Sequence, residues 1–311
     1  MVVVIVSDTT DARSDAGHLT GCLEALARQV GAPPMEIIVP HHPRVDGIDA
    51  ARARFPEVEF IPVGDLRTYT GQGGSREHHD ELRARGLAVA RGEVVALLED
   101  HARPDPHWCA RMVEAHRRQP AAAVGGAIEN GIDRALNWAV YFCDFGRYQN
   151  PVPDGASPFA SDANVSYKRS ALEAIRPVWR EIFHETAVNS ALTARGDALA
   201  LSPEIVVYQH RSGLRLGSAL RERFIWGRSY AATRGRLAGR ARRAVYAALS
   251  PVLPAVLLAR MAANVARKGR LGGAFVRALP LTAMLTVSWS LGELVGYLTA
   301  PERRRCPTSA P

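Results

Sequence analysis

Short apolar runs alternate with helix-like patterns through roughly the first 130 residues, and this alternation limits the fold more than any other feature. Val2–Val6 is a continuous apolar run, as a strand buried on both faces requires. Leu19, Cys22, Leu23, Leu26 and Val30 then share one helical face, closed by Gly31-Ala32-Pro33-Pro34. Glu36 to Val39 reads as the next strand, ended by Pro40, and Val58 to Val63 as a third. Glu77 to Ala90 has helical character and stops at Gly92. Val94 to Leu98 is a fourth strand, followed by the acidic turn Glu99-Asp100-His101. Trp108, Met112 and Ala115 start another helix, and Ala121 to Ile128 returns as a strand. Strands alternating with helices predict an α/β, Rossmann-like domain with a mostly parallel central sheet covered on both faces. Such sheets take ligands at the carboxyl ends of their strands. Ser7-Asp8, His41-His42 and Glu99-Asp100-His101 are therefore expected along one rim.

Residues 130 to about 210 are less regular, with a Pro/Gly-rich loop at 149–158, a helix near Glu185–Arg195 and a last strand at Glu204–Tyr208. Beyond 210 the character changes. Residues 211–243 are basic and read as a linker; 244–266 are apolar but interrupted by Pro251, Pro254 and Arg260. Arg267-Lys268-Gly269-Arg270 is a basic break, and 278–300 is apolar with one charge, Glu293, before a basic tail at 301–311. A transmembrane helix needs about 20 mostly apolar residues. The expected division is a domain over 1–210, the linker, and two membrane-associated helices over 244–300, dipping into or crossing the bilayer. Two soluble helices packed on the domain are the alternative. The flanking cations point to an anionic membrane surface.

The net charge is +8, nearly all of it arginine, which suits an anionic partner. The cations cluster beside apolar helices rather than among exposed aromatics, which argues against nucleic acid. The four cysteines are scattered without zinc spacing and fit a reducing compartment. The N-terminus has no basic leader segment, so the first domain is expected on the cytoplasmic face. Gly71-Gln72-Gly73-Gly74-Ser75 lacks the Lys-Ser/Thr ending of a phosphate-binding P-loop.

Ordered landmarks then carry a resemblance. Leu19…Cys22-Leu23, Glu36-Ile37-Ile38-Val39, the run Arg83-Ala84-Arg85-Gly86 through Gly92, Glu99-Asp100-His101 and Pro106-His107-Trp108 follow one another. Gly125-Gly126, Asn164-Val165-Ser166-Tyr167-Lys168-Arg169, Phe183-His184-Glu185-Thr186 and Val207-Tyr208-Gln209-His210 come next. Together these resemble the family 2 glycosyltransferases, inverting enzymes of GT-A fold, over residues 1 to about 235. The tail Trp289…Gly292-Glu293…Gly296-Tyr297 is similar to that of membrane-associated members.

The resemblance implies sugar transfer from a nucleotide-diphosphate donor to a hydroxyl acceptor, a lipid-linked or cell-envelope glycan. It places Ser7, Asp8 and His41 at the nucleoside, Arg83, Asp100 and Arg228 at the diphosphate, and Glu99, His101 and His210 at a divalent ion, manganese or magnesium. The family's Asp-x-Asp is here Glu99-Asp100-His101, and its Asp-Asp after the second strand is His41-His42. The aspartate of its Glu-Asp pair is Thr186. Displacement at the anomeric carbon needs a base, and Glu185 is the candidate, with Asp162 second. Two rivals stand beside this reading. A nucleotidyltransferase would carry a glycine-rich loop after the first strand, which Ser7–Ser14 lacks. A degenerate, non-enzymatic scaffold would explain the replaced motifs.

Overall fold

A computed structural model describes residues 1–6, 16–67 and 77–299, so Ser7, Asp8, the glycine-rich loop at 71–75, Cys306 and the basic tail lie outside the described residues. In chain order the elements begin with β1 (Val2–Val6), α1 (Gly17–Ala27), β2 (Glu36–His41), α2 (Ile48–Arg54), β3 (Glu59–Pro62) and α3 (Glu77–Val89). They continue with β4 (Val94–Glu99), β5 (Ala102–Pro104), α4 (Trp108–Arg118), β6 (Ala123–Asn130), α5 (Ala135–Asp144) and β7 (Gly155–Ala156). β8 (Asn164–Lys168), α6 (Arg169–Ala174), α7 (Arg176–Trp179), α8 (Glu185–Ala194) and β9 (Leu199–Gln209) follow. The chain then turns all-helical, with α9 (Leu216–Leu237), α10 (Arg240–Leu249), α11 (Leu253–Lys268) and α12 (Gly272–Thr299). It divides into two units, residues 1–133 with 147–212 and residues 134–146 with 213–311. The segment 134–146 thus groups with the helical unit, and the stretch expected as a linker is largely the helix α9.

The first unit is built on one sheet ordered β3-β2-β1-β4-β8-β6-β9-β5, with β7 beside β9. β1, β2, β3 and β4 are mutually parallel, while β8 runs antiparallel between β4 and β6. Alternation along β1 explains the two-sided core. Val3 and Ile5 pack with Leu19, Leu23, Trp108 and Met112 on one face. Val2 and Val4 pack with Leu87, Trp179, Phe183 and Val188 on the other. Val30, expected on the α1 stripe, lies beyond the helix end and is exposed. Pro40 does not end β2, which runs on to His41. Asn164–Lys168, not recognised as a strand in the sequence, is β8; its four buried residues Asn164, Val165, Ser166 and Tyr167 include two polar ones, which masks a strand pattern.

Asn164 fixes that strand. Its buried amide donates to the carbonyls of Ala127 and Ile205 at 2.8 and 3.1 Å and accepts from the Trp108 indole at 2.9 Å. Every polar atom of the side chain is used, so its burial costs little. Opposite, β6 and β9 shift register between Gly126 and Ala127. A Cβ on Gly126 would overlap the Ile205 carbonyl. Gly126→Ala should therefore lower stability by about 1–3 kcal/mol through overpacking, read as a shift of the urea midpoint.

In the helical unit, α9 and α12 approach closely because glycine faces backbone. Cβ atoms on Gly227, Gly292 and Gly296 would meet the carbonyls of Trp289, Phe224 and Arg228 respectively. The Ser288 hydroxyl donates to the Leu220 carbonyl at 2.7 Å. The buried Arg223 guanidinium forms a two-pronged pair with Asp144 at the end of α5. Phe142 stacks edge-on against Phe275.

Candidate active site

Parallel pairing of β2, β1 and β4 puts their carboxyl ends on one edge of the sheet. His41 ends β2 and Glu99 ends β4, with Glu99 in register with Val6. The expected rim therefore exists as an edge of strand ends, with its Ser7-Asp8 portion outside the described residues.

Arg83, on α3, is the centre of the acidic side of this edge. It is 1% exposed. Its Nη1 lies 2.9 Å from Asp80 and 2.8 Å from Asp162, and its Nη2 lies 3.6 Å from Glu99. Burial works to lower its proton affinity, but Asp162, Asp80, Glu99 and Glu185 outweigh it and raise it. The resemblance placed Arg83 at the diphosphate. In the structure it is enclosed by carboxylates, with α3 pressed close to the sheet: a Cβ on Gly86 would crowd Val4 and Pro40.

Around this cation the acids are placed from four directions. Asp80 is one helical turn before Arg83 and also accepts from His184 at 2.9 Å. The Asp80 carbonyl takes the Phe183 amide at 2.9 Å, which ties α3 to the start of α8. Asp162 sits in the loop before β8, and its amide donates to Glu185 Oε2 at 3.1 Å. Glu185 is the first residue of α8, a favourable position for a negative charge. It is half-buried, whereas Asp162 is buried and paired with Arg83. Asp80 and His184 were not recognised in the sequence; the Asp-x-x-Arg spacing on one helix was the available signal for Asp80.

His101 closes the other side. Its Nε2 is 3.1 Å from Glu99 Oε2 and its Nδ1 is 3.1 Å from Asp100 Oδ1. Burial opposes its charge, but the hydrogen bonds to Asp100 and Glu99 push its pKa up to about 9. Both carboxylates therefore face an imidazolium. His210 donates its backbone N–H to the His101 carbonyl at 2.8 Å. Its ring stacks so close to Gly131 that a Cβ there would overlap it. Burial, Arg103 and His18 hold the His210 ring below the usual histidine range. Among the described residues no group of three or more His, Cys, Asp or Glu is arranged to hold a metal ion. Glu99, His101 and His210, expected as a ligand set, do not fit one as they stand, because His101 uses both ring nitrogens on the carboxylates beside it.

His41 is buried beside Phe60, and its Nδ1 lies 3.2 Å from the His42 carbonyl, so that nitrogen carries the proton. Its Nε2 is buried and has no partner among the described residues. Burial lowers its pKa, so the ring is neutral and Nε2 is an acceptor. Arg228 is exposed on α9 in the helical unit. Cys22 and Cys109 are buried with thiols pushed up to about 12 by burial, the behaviour of inert core residues.

The model of glycosyl transferase family 2 matches residues 14–176, just over half of the chain. The chain belongs to this family. A search of curated proteins found no match. Among solved structures, the mannosyltransferase PcManGT from Pyrobaculum calidifontis, in complex with GDP-Man and Mn2+, is similar with TM-score 0.54 and 16% identity over 94% of this chain and 86% of that one. S. aureus TarS 1-349 is similar with TM-score 0.49 and 13% identity over 94% and 91%. The first likeness shows a GT-A-like α/β fold, and the chain is a glycosyltransferase of family 2 carrying apolar C-terminal helices. The family match spans β2, β4 and β8, and so includes His41, Arg83, Glu99 to His101 and Asp162; Glu185 lies beyond it.

Two outcomes follow from the charge arrangement. Arg83→Met removes the cation that Asp80, Glu99 and Asp162 share and should cost about 3–5 kcal/mol, with Arg83→Lys losing less; urea unfolding measures both. His101 has a folded pKa near 9 against an ordinary 6.5. Its contribution is fully present below pH 6.5 and is lost as pH rises through 9. The urea midpoint should fall across that window in the native chain and fall less in His101→Gln.

Proposed function

We propose that the first unit moves a sugar from a nucleotide-diphosphate donor to a hydroxyl acceptor with inversion. The observation that carries the reading is Glu185, a half-buried carboxylate at the N-terminus of α8 with one oxygen anchored by the Asp162 amide. In the proposed step the acceptor oxygen attacks the anomeric carbon as the bond to the diphosphate breaks. The nucleoside diphosphate leaves with the bonding electrons, and the hydroxyl proton passes to Glu185. A single displacement of this kind inverts the anomeric centre. Glu185 is preferred to Asp162 because Asp162 is the more buried and is paired at 2.8 Å with Arg83.

His41 is proposed at the base of the nucleoside. A buried acceptor nitrogen without a partner among the described residues suits a ring N–H of a nucleobase. This is the role that an aspartate has in the resemblance described above, here carried by a neutral ring. Ser7, Asp8 and Asp100 complete the proposed donor surface, and the acceptor is proposed as a lipid-linked or envelope glycan reached from the cytoplasmic face of a membrane. No step is assigned to manganese or magnesium, since Glu99 and Asp100 are both engaged by His101.

Calorimetric titration with nucleotide sugars, with and without manganese, tests the donor. Binding of no donor supports a scaffold; binding only with manganese shows that the carboxylates exchange His101 for the ion. Glu185→Gln keeps an oxygen for the Asp162 amide and should retain donor affinity while turnover falls about 100-fold or more. Unchanged release of nucleotide in that variant removes Glu185 from the mechanism. His41→Phe should raise donor KM about tenfold with kcat less affected.

A further inference from the structure

The helical unit exposes an apolar surface bordered by cations. α10 and α11 are joined through the 3-10 turn Ser250–Val252. Val245, Leu249, Val252 and Val256 recur along them every three or four residues, each between 46% and 57% exposed. Arg242 and Arg260 continue the same spacing at the two ends of the stripe, and both are exposed. α12 adds Val276, Met284, Val287, Leu291 and Leu298, all exposed and also confined to one side. A surface of this kind marks an interaction site. Its charge identifies the partner: between Glu222 and Glu293 the chain has no aspartate or glutamate and a dozen arginines and lysines. Apolar residues rimmed by cations alone match an anionic lipid surface.

Two helical stretches, Arg240–Lys268 and Gly272–Thr299, are long and apolar enough to cross a membrane by length and composition. Three observations oppose crossing. The uncharged runs are 244–259 and 278–292, sixteen and fifteen residues, or about 24 and 22 Å of helix, short of the roughly 30 Å hydrocarbon layer. The later part of α12 is packed along α9 through Gly227, Gly292 and Gly296. α9 carries Arg221, Glu222 and Arg228, which a crossing α12 would draw into hydrocarbon with it. Finally, cations stand at both ends of the α10–α11 stretch that leads into α12. Arg240, Arg242 and Arg243 lie at one end, and Arg267, Lys268 and Arg270 at the turn. A crossing hairpin would place one cluster on each side of the membrane, whereas cations flanking spans gather on one side.

We infer that α10, α11 and the outer face of α12 lie in the plane of one leaflet of an anionic membrane, with the apolar stripe in the acyl boundary and the arginines at the headgroups. This holds whether or not the proposed sugar transfer is correct, because it is read from binding alone.

The full chain, in a Cys306→Ser background, is added to preformed phosphatidylcholine vesicles with or without phosphatidylglycerol. Cosedimentation should occur with the anionic vesicles and weaken with added salt. Replacing Arg267, Lys268 and Arg270 by Gln should reduce the partition coefficient about fivefold per cation. Gly272 has open space around it, so Gly272→Cys reports the hairpin turn. It should react with a membrane-impermeant maleimide added outside the vesicles, with the Cys306→Ser parent as the blank. Protection of that cysteine until detergent is added shows a crossing hairpin and overturns the inference. So does equal binding to neutral vesicles, or binding to neither.

Discussion

Arg83 brings one positive charge to a place where Asp80, Glu99 and Asp162 all point inward, and the acidic edge of the first unit is assembled around it. Without that charge the carboxylates would repel one another across a site that excludes most water, and removing one partner of a buried ion pair is far more costly than never building it. With it, three separate chain segments are held to common geometry: helix α3, the end of β4 and the loop before β8. Glu185 is a fourth, reached through the Asp162 amide. The guanidinium acts on the candidate base through the groups it positions.

The same economy appears on the other side of the edge. His101 spans Glu99 and Asp100, so neighbouring acids are balanced by a neighbour in sequence. The imidazolium thus offsets two adjacent carboxylates, so no uncompensated negative pair is left at the end of β4. His41 is the contrasting case, a neutral ring with one nitrogen bonded to the His42 carbonyl and the other without a partner among the described residues.

The helical unit depends on a different constraint, backbone-to-backbone approach. Glycines at 227, 292 and 296 let α9 and α12 lie together where any side chain would hold them apart. α12 therefore packs on α9 and α5 and keeps a further apolar face exposed. The stretch 211–243, expected as a basic linker, is largely the helix α9. Arg223 is buried against Asp144, a partner nearly eighty residues earlier in the chain, and no local pattern signals that.

Local periodicity set the order of the main strands and helices, the parallel core of β1 to β4 and the rim of polar strand ends, while the ordered motifs carried the resemblance to the family. These are readable because apolar repeats of two or three to four residues are properties of consecutive residues. The sequence also named Glu99, Asp100, His101, Asp162 and Glu185, though not what each touches. Tertiary structure decided that Arg83 is buried among carboxylates, that His101 reaches both Glu99 and Asp100, that β8 enters the sheet antiparallel, and that 134–146 joins the helical unit. Each of those is a contact between residues distant in the chain, or a degree of burial, and charge has the opposite consequence in water and in an enclosed acidic cluster.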